Sequence, residues 1–127
     1  MADTPISDMA RANGVWNDAW NDAAALDPEW VESFLAMGTL PIRRGVLEPK
    51  VYELIAIAVD AACTHMYAPG TRRHIAKALE LGATPQEIMA VLQGVAVLGI
   101  HSVALGVPML VEEMNRRGLP VPAKEGA

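Results

Sequence analysis

A chain of 127 residues has the size of one domain and no room for a second independent core. Hydrophobic residues make up 52% and charged residues 20%, enough apolar surface to offset the entropy of ordering, so a disordered chain is excluded. The formal net charge of −5 lacks the basic footprint of a nucleic-acid or anionic-membrane binder, and any anionic ligand has to be met by a local cluster of positive groups.

Low aromatic content, abundant alanine and regularly spaced glycine and proline predict an all-α fold, a single-domain helical bundle. Residues 1–26 read as an N-terminal segment in which Ser7 to Ala25 supplies a short irregular helix broken at Asn13-Gly14. Asp27-Pro28-Glu29, an N-cap acid followed by proline, opens the main helical domain, 27–118. Its first helix carries an apolar stripe of Trp30, Phe34 and Met37 and is expected to close at Gly38, with a linker from Thr39 to Glu48. A second helix is predicted from Pro49 to Thr64 and a third from Thr71 to Leu81, separated by a break containing Pro69-Gly70. Thr84-Pro85-Gln86-Glu87 is a capping box with proline at the first helical position, opening a helix to Leu98 that Gly99 should end. A last helix, His101 to Arg117, is expected to be interrupted near Pro108 and stopped by Gly118, leaving 119–127 as a flexible tail.

The stretch Ile88 to Val111 is long and apolar enough to span a bilayer, but Gly99, Gly106 and Pro108 should break it and it lacks flanking basic or aromatic anchors. The expectation is two helices buried on most of their circumference, part of that surface facing another subunit of a homo-oligomer. Cys63 is the only cysteine, which rules out an intramolecular disulfide or a CxxC centre and fits a reducing compartment; it reads as an inert buried thiol. Met1 to Asn13 shows no secretory pattern, so a cytoplasmic location is expected.

Phosphate loops, nucleophile elbows and HExxH are missing, and what remains is a histidine pattern: His65, His74 and His101, each beside a helix break. Imidazole titrates near neutrality, so histidine suits proton transfer and metal ligation as well as plain helix-end roles. His74 lies at the margin of an apolar face with Arg72 close by, placing a guanidinium and an imidazole together at the first turn of a helix, where a carboxylate ligand would suit them. Glu53 and Asp60 share one side of the preceding, largely apolar helix and need partners there; Arg72 or His74 would supply them if the two helices run antiparallel, in a structural or a catalytic role.

The succession Leu47-Glu48-Pro49-Lys50, Glu53-Leu54-Ile55-Ala56-Ile57-Ala58-Val59, Arg72-Arg73-His74, Gly82-Ala83-Thr84-Pro85-Gln86-Glu87-Ile88 and Val95-Ala96-Val97-Leu98-Gly99 resembles the carboxymuconolactone decarboxylase family. The resemblance implies an all-α subunit of the alkylhydroperoxidase D-like type, assembled as trimers or hexamers with active sites near subunit contacts. In the family's peroxidase branch a Cys-x-x-Cys-x-x-x-His motif follows an upstream glutamate; with His74 as that histidine, the cysteine positions hold Tyr67 and Gly70, and Glu53 lies near the glutamate's place. Without a resolving thiol, disulfide peroxidase chemistry has no basis. The decarboxylase branch keeps Arg-x-His, here Arg72 and His74, and the resemblance implies a cofactor-independent lyase acting on an unsaturated lactone acid.

For that reaction Arg72, with His65 and Tyr67 in the adjoining loop, would bind a small carboxylate substrate, His74 would protonate carbon, His101 or Tyr67 would donate to the oxyanion, and Glu53 is a further catalytic candidate through its place near the family's glutamate. Ile88, Leu92 and Leu98 would supply apolar walls. Two alternatives stand beside it: a divalent-metal site formed by His65, His74 and His101, and a non-catalytic oligomeric binding protein of the same fold.

Overall fold

The computed structural model describes residues 2–124; Met1 and the last part of the expected tail, 125–127, lie outside the described residues. Among the described residues every regular element is helical. Helix α1 (Pro5–Ala12) is followed by a 3-10 turn (Asp18–Trp20), α2 (Asn21–Leu26), α3 (Pro28–Arg44), α4 (Pro49–Ala61), α5 (Ala68–Glu80), α6 (Pro85–Ala96), a second 3-10 turn (Val97–Gly99) and α7 (Ile100–Arg116).

The helix starts follow their local chemistry. Asp27 caps α3 by accepting from the Trp30 amide, and Thr84 and Glu87 form the reciprocal capping box of α6. The stops differ from expectation. Helix α3 runs through Gly38 and Pro41 and closes at Gly45, whose φ of 67° is the left-handed conformation of a helix terminator. Pro41 removes one donor, and side chains serve neighbouring carbonyls of that turn: Thr39 Oγ1 donates to the Leu35 carbonyl at 2.7 Å and Arg43 Nη2 to that of Ala36 at 2.6 Å. Helix α4 stops at Ala61, short of Thr64, and α5 begins at Ala68 with Pro69 in its first turn, where proline loses nothing.

Two packing units result. In the first, α1 and α2 lie against α3, burying Val31 and Leu35. The expected stripe of Trp30, Phe34 and Met37 is instead exposed, with Trp30 stacked on Phe34 at 5.8 Å, because α1 covers the neighbouring face. In the second, α4 packs on α5 and α6 around Ile57, Ala78, Ala83 and Ile88. Ile88 and Leu92 belong to this core and Leu98 is exposed, so they do not wall a substrate site as expected.

Gly99 does not end α6. Its φ of −66° is right-handed, so the chain tightens through a 3-10 turn and continues into α7, which also passes through Pro108. The result is one helical rod, Pro85–Arg116, 32 residues long, with a most apolar window that is 6% buried; by length and composition alone it could cross a membrane. The breaks expected at Gly99, Gly106 and Pro108 do not occur, and beyond the first part of α6 the rod is not buried, because no other described element covers it.

Glu32 of α3 docks α1. Its carboxylate accepts from the Ile6 amide at 2.7 Å, the Ser7 amide at 2.8 Å and the buried Ser7 hydroxyl at 2.7 Å. Desolvation pushes its pKa up, but the hydrogen bonds from Ser7 and Ile6 outweigh it and hold the carboxyl below its ordinary value. A lowered folded pKa means that this stabilisation is complete above the ordinary glutamate range and lost as pH falls through the folded value. Acid titration should therefore release α1, read by the fluorescence of Trp16, over which the Arg11 guanidinium sits at 3.9 Å. Glu32→Gln should weaken the dock at neutral pH and flatten its acid dependence.

Candidate functional site

Glu53 and Asp60 are seven positions apart, two helical turns, and so face the same way from α4. The chain reverses after Ala62 and α5 returns antiparallel, setting His74 against both. His74 Nδ1 lies 2.6 Å from Glu53 Oε2, a separation that requires a proton between the two atoms, and Nε2 lies 3.6 Å from Asp60 Oδ2. The three side chains are 25%, 17% and 15% exposed, sheltered enough for the contacts to matter and open enough for a proton to reach them. The other Asp60 oxygen, Oδ1, is 3.4 Å from Nε2 of the exposed His65.

The reversing turn holds this arrangement. The His65 and Met66 amides donate to the Ala62 carbonyl at 2.8 Å, Tyr67 N–H donates to the Asp60 carbonyl at 2.7 Å, and Met66 takes a φ of 48°, rare for a residue with a side chain. Gly70 is buried against Asp60; a Cβ there would collide with Asp60 Oδ2 and the Tyr67 ring. Tyr67 sits 5.6 Å from the His65 ring, and its hydroxyl accepts from Asn17 Nδ2 at 3.0 Å, tying the site to the first packing unit.

The structure thus joins Glu53, His74, His65 and Tyr67 around Asp60. It separates Arg72 and His101 from them. Two residues along a helix are about 200° apart around its axis, so Arg72 points away from His74 and lines an open pocket with Ala61, Met66, Ala68, Thr71 and Ile75. The expected guanidinium–imidazole pair at the first turn of α5 is not formed. His101 lies exposed on α7, whose main packing in its own chain is with the turn before it. Among the described residues no group of three or more His, Cys, Asp or Glu side chains is placed to hold a metal ion, so His65, His74 and His101 do not converge within one chain. Cys63 is exposed in the turn, not buried as its residue type suggested. Sequence reasoning placed Gly70 in a break between helices and not against Asp60, and did not single out Asn17.

The model of the carboxymuconolactone decarboxylase family matches residues 28–105, more than half of the chain. A solved structure from Burkholderia xenovorans LB400, provisionally assigned as a gamma-carboxymuconolactone decarboxylase subunit, superposes with a TM-score of 0.79 at 39% identity. The match covers 94% of this chain and 50% of that one, so the chain spans about half the length of this relative. No curated protein matches.

Gly70→Ala should destabilise the fold by about 1–3 kcal/mol, the usual cost of overpacking, in urea denaturation. The loss should shrink in an Asp60→Ala background, where the colliding carboxylate is gone, giving a coupling between the two positions in a double-mutant cycle.

Proposed function

Since the chain belongs to the carboxymuconolactone decarboxylase family, we propose that it is a carbon–carbon lyase that decarboxylates a small unsaturated lactone acid without a cofactor, and that the His74–Glu53 pair delivers the proton. The observation that carries this reading is the 2.6 Å contact between an imidazole and a carboxylate in a sheltered site. A carboxylate on the γ-carbon of such a lactone leaves as carbon dioxide when the bonding electrons pass into the lactone carbonyl as a dienolate. The carbon then takes one proton, which the pair regains from water. The protein's share is to bind the anion, steady the oxyanion and hold the proton where carbon needs it. His74 is held between carboxylates near both ring nitrogens, so the proton it shares with Glu53 is kept along one direction. Asp60 positions the ring, and His65, beside Asp60, and Tyr67, beside His65, are the groups assigned to donate to an oxyanion.

The same reading includes assembly as a homo-oligomer, a trimer or hexamer, in a cytoplasmic setting. Its support is the apolar rod of α6 and α7, with Val103 52%, Leu105 66% and Leu110 57% exposed, a surface that a lone subunit would present to water.

Turnover of small unsaturated lactone acids, read as carbon dioxide release, tests the activity. His74→Ala should lower kcat by about 10²–10⁴, the contribution of a general acid, with Glu53→Gln close behind, while Cys63→Ala keeps most activity. A full-rate His74→Ala enzyme, or no carbon dioxide from any such acid, overturns the proposal. Sedimentation at micromolar concentration should show an assembly that Leu105→Asp reduces in size without unfolding the chain.

A further inference from the structure

Between the two packing units lies a cavity of about 370 Å³, roofed by α1 and α3 and floored by α4 and α5. This is within the size range of small-molecule sites. Its walls are largely apolar, with Met9, Trp20 and Ile42 prominent, and three charged side chains break them: Glu53, Arg43 and Lys77. Glu53 is already engaged with His74. Arg43 is not engaged with any acid: it forms no ion pair among the described residues, and its Nε and Nη2 donate along its own helix to Thr39 Oγ1 at 3.2 Å and the Ala36 carbonyl at 2.6 Å. Those two bonds hold the guanidinium in place and leave its other N–H groups unused. Lys77 has only the exposed Glu80 at 3.2 Å, a partner that water screens.

We infer that this cavity is a binding site for a small cyclic carboxylic acid, with the carboxylate taken by Arg43 and Lys77 and the ring against Met9, Trp20 and Ile42, next to Glu53. A largely apolar wall carrying two cations that no acid of the chamber pairs suits a ligand with one anionic end and an apolar body; a neutral ring gains the apolar contacts but not the charge-assisted hydrogen bonds that the exposed Arg43 and the half-buried Lys77 can give. The site deepens the proposed function, on which it rests for its place in a reaction: the chamber borders the proton-bearing pair at Glu53, whereas the pocket at Arg72 has no contact with that pair.

Binding is tested without turnover, by titration calorimetry of the full chain with benzoate and with benzamide, its neutral counterpart. Benzoate should bind and benzamide should bind at least tenfold more weakly. Arg43→Gln should weaken benzoate by about 10- to 100-fold, the loss of one charge-assisted hydrogen bond, Lys77→Met should weaken it less, and Arg72→Ala should leave it unchanged. Quenching of tryptophan fluorescence by benzoate should fall in Trp20→Phe. Thermal unfolding of each variant in the absence of benzoate shows whether a lost affinity is a lost fold, and Arg43→Lys, which keeps the charge, should restore part of the binding. Loss of binding in Arg72→Ala with wild-type affinity in Arg43→Gln overturns the chamber and leaves the decarboxylase reading standing. Binding that follows Arg43 together with no carbon dioxide from any lactone acid does the reverse. No binding of benzoate at millimolar concentration overturns the chamber.

Discussion

The placement of one imidazole between two carboxylates decides most of what surrounds it. Glu53 and Asp60 come from one face of α4, and partly buried carboxylates are stable only with partners. Both meet His74, so α5 has to return antiparallel to α4 in a single register. The register in turn demands a tight reversal, which the left-handed Met66 supplies, and a close approach of α5 to Asp60, which only a residue without a side chain at Gly70 allows. The apolar cluster of Ile57 on α4, Ala78 on α5 and Ile88 on α6 holds the three helices together. The small Ala78 lets the α5 backbone approach α4, and the polar bridge selects the register in which it does so.

Much of this was legible along the chain, and the illegible part has a common cause. Helix starts are set by residues within one turn, so Asp27-Pro28 and Thr84-Pro85 could be read directly. Helix stops at glycine depend on whether the glycine turns left-handed. Gly45, Gly82 and Gly118 do; Gly38 and Gly99 do not, and nothing local distinguishes them. The meeting of His74 with Glu53 and Asp60 could be anticipated because it needs only two adjacent helices. Arg72 was associated with His74 through nearness in sequence, which on a helix places them on opposed faces. Arg43 was assigned to a linker, and its place on a cavity wall depends on how α3 sits over α4 and α5, an arrangement that no local pattern encodes.

The rod of α6 and α7 shows the same limit from the other side. A short chain can cover only so much apolar surface, and here the second unit closes around α4, α5 and the first part of α6, leaving the remainder uncovered. The apolar run pointed to that surplus, and the structure locates it on one continuous helical stretch. The charged residues that follow, Glu113 with Arg116 and Arg117, are paired among themselves at the end of α7 and mark where the apolar surface ends.

The site also bears on the thiol chemistry of the family's peroxidase branch. The family resemblance places the thiols of the peroxidase branch at positions occupied here by Tyr67 and Gly70. Position 70 lies directly against Asp60 Oδ2, with no room for even a methyl group. A thiol there and a carboxylate at position 60 would contend for the same volume beside His74. Keeping Asp60 gives the imidazole a second carboxylate that fixes its orientation; giving position 70 to sulfur would remove that carboxylate and leave the ring facing a redox group. The absence of a second cysteine in the chain is therefore matched by the geometry around the one histidine that both chemistries would use. A site organised around Glu53, His74 and Asp60 suits the proton transfer proposed for it, and the space that a disulfide would need is occupied by the carboxylate beside the ring.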